Sequence, residues 1–224
     1  MTTSDRLSSP QHSTLDTRHS PATVFLVDDD ASVRKALSRL IKSAGYQVQS
    51  FASAREFLDA HVATVAERAC LVLDVSMPGL SGFDLQRELD ATAAFLPIIF
   101  ITGHGDIPMS VKAMKAGAVD FLPKPVKDKA LLAAVEQALA RSEREAGERM
   151  ELASIQRRIA TLTPRELEVM ALVVRGYLNK QIAFELGTVE KTVKVHRARV
   201  MEKMEVKSLA ELVRLAERAG FGAE

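Results

Sequence analysis

Residues 69–74, Ala-Cys-Leu-Val-Leu-Asp, form a short apolar run that ends in one carboxylate, and Val-Ser-Met-Pro-Gly follows directly at 75–79. A run of this length between turn signals is typical of a strand that is buried on both faces of a parallel sheet. In open sheets of this kind, ligands bind at the carboxyl ends of the strands. The stretch therefore predicts a parallel α/β fold with a reactive position at Asp74.

The alternation of apolar strands and amphipathic helices continues on both sides of that stretch. Further strands are predicted at 23–27, 47–51, 98–102 and 120–122. Helices are predicted at 33–44, 54–64, 83–91, 108–116 and 128–140. Repeated strand–helix units of this kind predict an α/β fold with a doubly wound, five-stranded parallel sheet that is covered on both faces.

The chain divides into four segments. Residues 1–22 are rich in Ser, Thr, His and Pro, which predicts a disordered tail, and residues 23–140 hold the α/β domain. Residues 141–160 carry alternating charges and lack Pro, which predicts a helical linker that continues the last helix of that domain. Residues 161–224 predict a second, smaller, all-α domain, and Thr-Pro-Arg-Glu at 163–166 predicts a capping box at its first helix.

Bulk composition limits the class of protein. The chain has 224 residues, 47% of them hydrophobic and 26% charged, which is typical of soluble proteins with one or two domains. Its net charge is only +1, so a nucleic-acid surface must be local. The single cysteine, Cys70, excludes a disulfide within the chain and is predicted to be a small buried hydrophobe rather than a redox sensor. Neither a membrane span nor a signal peptide is predicted, and we expect a cytoplasmic protein.

Polar residues follow or end three other predicted strands. Asp28 and Asp29 follow the first strand, Thr102 ends the fourth, and Lys124 follows the fifth. Phosphoryl transfer to Asp74 would need carboxylates for Mg²⁺, together with a lysine and a hydroxyl that compensate charge on the phosphoryl oxygens. Each residue alone would be an ordinary turn or solvated residue. Their joint occurrence at four strand ends predicts a phosphorylation site.

On these residues, the segment from about 23 to 140 resembles the receiver domain of two-component response regulators, which has a flavodoxin-like fold. The matching motifs are Val-Asp-Asp-Asp at 27–30, Leu-Asp at 73–74 with Met-Pro-Gly at 77–79, Ile-Thr-Gly at 101–103 and Pro-Lys-Pro at 123–125. The resemblance implies that Asp74 is the phosphoacceptor and that Lys124 assists it. It also implies that Mg²⁺ is held by Asp28, Asp29, Asp74 and the backbone carbonyl of Ser76. By the same resemblance, Thr102 and Phe121 are the switch residues, Phe121 being buried in the resting state, whereas Asp30 has no assigned role.

A helix–turn–helix pattern lies in the second domain. Asn-Lys-Gln-Ile-Ala at 179–183 opens a helix that stops at Gly187, a short turn follows, and the next helix is predicted at 191–204. Residues 191–203 carry five basic side chains and one acidic side chain, a net charge of +4. A merely solvated basic helix is the alternative, but the preceding helix and turn favour contact with DNA phosphates.

Residues from about 160 to 219 resemble the LuxR-type DNA-binding domain. The matching motifs are Leu-Thr-Pro-Arg-Glu at 162–166, Asn-Lys-Gln-Ile-Ala at 179–183 and Thr-Val-Lys-Val-His at 192–196. With the receiver-like segment this is the NarL/FixJ arrangement, and Gly-His-Gly-Asp-Ile-Pro-Met at 103–109 favours the FixJ branch. The resemblance implies that the major groove is faced by Lys194, Val195 and Ala198, and that phosphates are approached by Lys191, Arg197 and Arg199.

Two positions in this motif stay open. His196 is interpreted either as a DNA contact or as a packed helix residue. Thr188-Val189 replaces the Ile-Ser pair that is usual in the family, so the expected serine cap of the recognition helix is missing. We expect Thr188 to cap that helix from one residue earlier, and a frayed helix end is the alternative.

Taken together, the two resemblances imply a DNA-binding response regulator rather than a turnover enzyme. It would accept a phosphoryl group from a sensor histidine kinase, form a homodimer through the face of its fourth helix and fifth strand, and regulate transcription on double-stranded DNA, with RNA polymerase as a further partner. Two other classes remain open. A metal-dependent phosphatase would need a second Asp where Ser76 stands, and a phosphorylation-independent DNA-binding protein would be expected to lack part of the Asp/Thr/Lys set, which is complete.

Overall fold

The computed structural model describes residues 22–60, 68–92, 95–103 and 107–221. The chain forms two compact units, Met1–Glu143 and Arg144–Glu224, and each is described by itself. Most of the predicted disordered tail, residues 1–21, lies outside the described residues, but Ala22 is buried and its carbonyl accepts a hydrogen bond from the Gln47 amide at 3.0 Å. Ala22, the last residue of the predicted tail, is therefore part of the α/β domain.

The first unit is a five-stranded sheet flanked by helices. Its elements are β1 (Thr23–Val27), α1 (Ala31–Ser43), β2 (Gln47–Phe51), α2 (Ala54–Asp59), β3 (Ala69–Asp74), α3 (Gly82–Asp90), β4 (Ile98–Thr102), α4 (Ile107–Lys115), β5 (Asp120–Pro123) and the start of α5 (Asp128–Ala160). All strand pairs are parallel, in the order β2-β1-β3-β4-β5. The predicted doubly wound five-stranded sheet is confirmed. The connection from β1 leads toward one edge of the sheet, and the connection from β3 leads toward the other edge. The carboxyl ends of these two neighbouring strands therefore flank the topological switch point, where ligands bind.

Both faces of the sheet are covered by apolar side chains, as the sequence of β3 predicts. One face packs Val24, Leu26 and Val72 against α1 and α5, and the other packs Phe25, Leu71 and Leu73 among residues of α2 and α3. Cys70 is fully buried, and burial raises the pKa of its thiol to about 12. The prediction of a buried cysteine is confirmed.

The second unit is helical. After the C-terminal part of α5 it contains α6 (Pro164–Val174), α7 (Asn179–Glu185), α8 (Glu190–Lys203) and α9 (Leu209–Arg218). Its core includes Val169, Met170, Val193 and Val200. The predicted capping box at residues 163–166 is confirmed. None of the helices in the described part of the chain is long and apolar enough to cross a membrane.

Residues 141–160, predicted as a linker, are helical throughout because α5 runs without interruption from Asp128 to Ala160. From Arg144 onward they belong to the second unit. Ile155 is buried in its core, and Nη1 of Arg158 donates to the backbone carbonyl of Met204 at 2.9 Å. Charge patterning predicts the helix, but it does not reveal which apolar residue of that helix meets a core.

Candidate metal centre and nucleic-acid interface

Three carboxylates meet at the carboxyl ends of β1 and β3. Asp28 directly follows β1, Asp29 is the next residue, and Asp74 ends β3; one oxygen of each lies within 4.8 Å of the others. Asp28 and Asp74 are buried, whereas Asp29 is exposed, so the cluster opens to solvent on one side. Hard oxygen donors of this kind are the ligands that Mg²⁺ and Ca²⁺ prefer. The donor set therefore fits the predicted Mg²⁺.

Lys124 bridges two of these carboxylates. Its Nζ lies 2.6 Å from Oδ2 of Asp74 and 2.7 Å from Oδ2 of Asp28. The backbone amide of Lys124 donates to the Thr102 carbonyl at 2.7 Å, and a cis peptide bond joins Lys124 to Pro125. Burial acts to lower the pKa of the Lys124 ammonium, but the contacts with the Asp28 and Asp74 carboxylates together outweigh it and raise that pKa above its ordinary value. The site thus holds a fixed positive charge next to Asp74.

Asp28 is the most enclosed of the three carboxylates, with no exposed surface. Burial raises the pKa of its carboxyl above the ordinary value, although the contact with Lys124 and the hydrogen bond that the Asp30 amide donates to Oδ1 at 2.9 Å act to lower it. Desolvation of an anion has this effect because low-dielectric surroundings disfavour the charged form. With three carboxylates and one lysine, the cluster favours a further cation.

The backbone around Asp74 is tightly packed. The Ser76 amide donates to Oδ1 of Asp74 at 3.2 Å, which brings the backbone of Ser76 to the site. On the other side, α3 begins so close to Asp74 that a Cβ atom on Gly82 would lie 2.4 Å from the Asp74 carbonyl oxygen. Only glycine permits this approach, so Gly82 is a requirement of the site that the motifs did not indicate.

The two predicted switch residues lie on β4 and β5. Thr102 is fully buried at the end of β4, whose Ile101 pairs with Asp74. Phe121 is half-buried on β5, and its ring centroid lies 6.4 Å from that of Phe100. The expectation of a buried Phe121 is therefore wrong, because this side chain is only partly buried and packs at the edge of the core.

Two residues near the carboxylates have contacts that the sequence analysis missed. Asp30, which had no assigned role, caps α1: its side chain accepts from the amides of Ser32 and Val33 at 2.7 and 3.2 Å, and these bonds lower the pKa of its carboxyl. An Asp immediately before an apolar helical pattern is the signal that indicates such a cap. Nη1 of Arg34 donates to the Asp28 carbonyl at 2.6 Å. No local sequence pattern predicts this contact.

In the second unit, α8 presents the predicted DNA-contacting residues. Lys191, Lys194, Val195, Ala198 and Arg199 are exposed, whereas Val193 and Val200 are buried on the opposite side of the helix. Arg197 is half-buried, and its Nη1 lies 3.1 Å from the side-chain oxygen of Asn179 at the start of α7. The arrangement gives one basic, accessible helix face, as a recognition helix requires.

Not all the basic charge of α8 is available to a phosphate. Lys203 donates to the buried Glu166 at 2.6 Å and to the Thr161 carbonyl at 3.0 Å, and Lys194 pairs with the exposed Glu190 at 3.1 Å. The Lys203 hydrogen bond lowers the pKa of the Glu166 carboxyl to about 2. The net charge of +4 counted from the sequence therefore overstates the charge available to DNA, because the Lys203 ammonium is bonded within the domain.

The expected cap at Thr188 is wrong. The N-cap of α8 is Val189, with no side-chain hydrogen bond to the helix, because α8 starts at Glu190 and Thr188 lies one residue too early. His196 is half-buried, and its Nδ1 is buried without a hydrogen-bond partner among the described residues. That nitrogen therefore faces the protein rather than solvent.

Comparison with known proteins matches both units. Residues 24–136 match the response regulator receiver domain, and residues 160–216 match the bacterial regulatory proteins of the luxR family. The chain is 50% identical over 202 residues to nodulation protein W of Bradyrhizobium diazoefficiens, covering 90% of this chain and 88% of that protein. It is 47% identical over 197 residues to the transcriptional regulatory protein FixJ of Azorhizobium caulinodans, covering 88% and 92%.

Solved structures show the same similarity. The response regulator StyR is 49% identical, with a TM-score of 0.78, and the match covers 89% of this chain and all 100% of that one. Full-length FixJ from B. japonicum is 45% identical, with a TM-score of 0.54, and the match covers 89% of this chain and 97% of that one.

Proposed function

Since the chain belongs to the two-component response regulators of the NarL/FixJ type, with a receiver domain and a LuxR-type DNA-binding domain, we propose that Asp74 is its phosphoacceptor. A sensor histidine kinase would supply the phosphoryl group, and the phosphorylated chain would regulate transcription as a homodimer. The observation that carries the proposal is the double ion pair of Lys124, 2.6 Å from Asp74 and 2.7 Å from Asp28, inside a cluster of three carboxylates.

In the proposed transfer, a carboxylate oxygen of Asp74 attacks the phosphorus of the donor. The new O–P bond forms as the P–N bond to the kinase histidine breaks, and the electron pair leaves with the imidazole. Lys124 exchanges its contact with Asp74 for a phosphoryl oxygen, which needs only a short movement of a flexible side chain. Asp28, Asp29, Asp74 and the Ser76 carbonyl would hold Mg²⁺, which supplies neutralisation of charge on the phosphoryl oxygens.

The response to phosphorylation would pass through Thr102 and Phe121. A phosphoryl group on Asp74 offers a new acceptor to the Thr102 hydroxyl, and Phe121 would follow into the space that Thr102 leaves. The adjacent α4 exposes Val111 and Met114, which are 45% and 48% accessible. The exposure of these two apolar side chains supports the face of α4 and β5 as the dimer interface.

The second domain would bind double-stranded DNA through α8. Lys194, Val195 and Ala198 would approach base edges, and Lys191, Arg197 and Arg199 would approach phosphates. Binding at promoters makes RNA polymerase a further partner and places the protein in the cytoplasm. Lys194→Ala should weaken binding to the cognate duplex selectively, whereas Arg199→Ala should weaken cognate and scrambled duplexes alike. Titrations over a salt series compare the two variants, and the reverse pattern would contradict this orientation of α8.

Labelling of the purified full-length chain by acetyl phosphate tests the phosphoacceptor. Wild-type protein should take up at most one phosphoryl group per chain and should lose labelling when Mg²⁺ is chelated. Asp74→Asn should not be labelled. Asp30→Asn is the matched control, because Asn also caps helices and Asp30 lies outside the three-carboxylate cluster.

Two results would contradict the proposal. Mg²⁺-dependent labelling of Asp74→Asn at the wild-type level would show that another residue accepts the phosphoryl group. Release of many phosphates per chain without an accumulated phosphoprotein would instead support the phosphatase class.

A further inference from the structure

We propose that Arg34 is a positioning residue for the metal site, a role that rests on the proposed function of that site. Arg34 lies on α1 and is half-buried, and its Nη1 donates to the backbone carbonyl of the fully buried Asp28 at 2.6 Å. It thus contacts the backbone of a candidate ligand rather than a carboxylate. The geometry points to a role for Arg34 in fixing the position of Asp28.

The turn between β1 and α1 depends on this contact. The Asp28 carbonyl lies beyond the end of β1, and a buried carbonyl requires a donor. Arg34 supplies one, and its own backbone amide donates to the Asp30 carbonyl at 2.9 Å, while the Asp30 amide donates to Oδ1 of Asp28 at 2.9 Å. Arg34 therefore ties α1 to the turn that presents Asp28 and Asp29.

Charge and position predict opposite effects when Arg34 is removed. A guanidinium near a divalent cation repels it, so loss of charge alone should tighten Mg²⁺ binding. Loss of the hydrogen bond to Asp28 should weaken Mg²⁺ binding, because residues that orient metal ligands typically contribute about 10- to 100-fold in affinity. The sign of the change separates the two roles without any phosphoryl transfer.

The test is the Mg²⁺ dissociation constant of the full-length chain, measured by NMR titration of backbone amides. Arg34→Ala should weaken Mg²⁺ binding by about tenfold. Arg34→Lys, which retains a donor that can reach the Asp28 carbonyl, should restore most of the affinity. Arg39→Ala is the matched control, since Arg39 is an exposed residue of the same helix and its removal takes away the same charge. Arg39→Ala should bind Mg²⁺ as the wild type does.

Binding by Arg34→Ala that equals or exceeds that of the wild type would overturn the proposal, and so would equal weakening by Arg39→Ala. Thermal unfolding without Mg²⁺ checks that each variant is folded. If Arg34→Ala is not folded, Arg34→Met, which keeps an aliphatic stem but has no hydrogen-bond donor, is judged by the same criterion. The proposed function fails by different results. These are a wild-type protein that does not bind Mg²⁺, or an Asp74→Asn variant that is still labelled by acetyl phosphate.

Discussion

Lys124 sets the charge state of the receiver site at the scale of single residues. Its ammonium lies within 2.7 Å of carboxylates at the ends of two neighbouring strands, so the negative charge of Asp28 and Asp74 is partly compensated before any phosphoryl group arrives. A buried charge whose partner is removed is strongly destabilising. Lys124 therefore serves the stability of the unphosphorylated site as well as the proposed transfer.

Gly82 imposes a steric condition on the same site. Gly82→Ala should destabilise the receiver domain by roughly 1–3 kcal/mol and slow labelling of Asp74, because the new Cβ would lie 2.4 Å from the Asp74 carbonyl oxygen. Gly147→Ala is the matched control: it lies within α5, a Cβ there meets nothing within 4 Å, and alanine should leave stability equal or slightly higher. Urea unfolding of both variants measures the difference. Unchanged stability and labelling of Gly82→Ala would contradict the close approach.

At the scale of elements, α6 and α8 are held together by the ion pair of Glu166 and Lys203. Glu166 is buried, and hydrogen bonding to Lys203 first, and to the Thr163 amide second, lowers the pKa of its carboxyl from 4.5 to about 2. A carboxyl whose pKa is lower in the folded state contributes stability that is fully present above its unfolded pKa. That contribution is lost as the pH falls from about 4.5 through about 2.

Glu166→Gln should therefore lower the stability of the second unit by roughly 1–3 kcal/mol at neutral pH and flatten its decline between about pH 4.5 and about pH 2. Glutamine keeps the capping box, so only the charge is removed. Glu168→Gln is the control, because Glu168 forms an exposed pair with Arg165 and should contribute less than about 1 kcal/mol. Denaturant unfolding, monitored by NMR signals of the second unit at a series of pH values, gives the stability of both variants. An unchanged pH profile in Glu166→Gln would contradict the lowered pKa.

For the whole molecule, the proposed phosphorylation would shift the balance between two states only through contacts that differ between them. Thr102 is buried at the end of β4, one residue beyond the position paired with Asp74. Thr102→Ala should therefore accept the phosphoryl group on Asp74 yet lose most of the phosphorylation-dependent dimerisation.

Light scattering of the labelled protein measures that loss. Thr92→Ala is the control, because Thr92 belongs to the same unit but follows α3 rather than the carboxyl end of a strand. Its hydroxyl donates to the Leu89 carbonyl at 2.7 Å. Full dimerisation of labelled Thr102→Ala would show that the response runs through other residues.

The sequence by itself determined the five strands, the parallel α/β class and the strand ends at which Asp28, Asp74 and Lys124 lie. These features follow from local patterns and from the few topologies that a βα repeat allows. It also determined the capping box at residues 163–166, because a helix start depends on four consecutive residues.

Only the tertiary structure decided which distant residues meet. It brought Arg34 to the Asp28 carbonyl, placed α3 against Asp74, paired Lys203 with Glu166, and put Ile155 of the predicted linker into the core of the second unit. Long side chains have many rotamers, and the register of one element against another is set by the packing of the whole unit. Such contacts are properties of the assembled chain, and no window of sequence contains both partners.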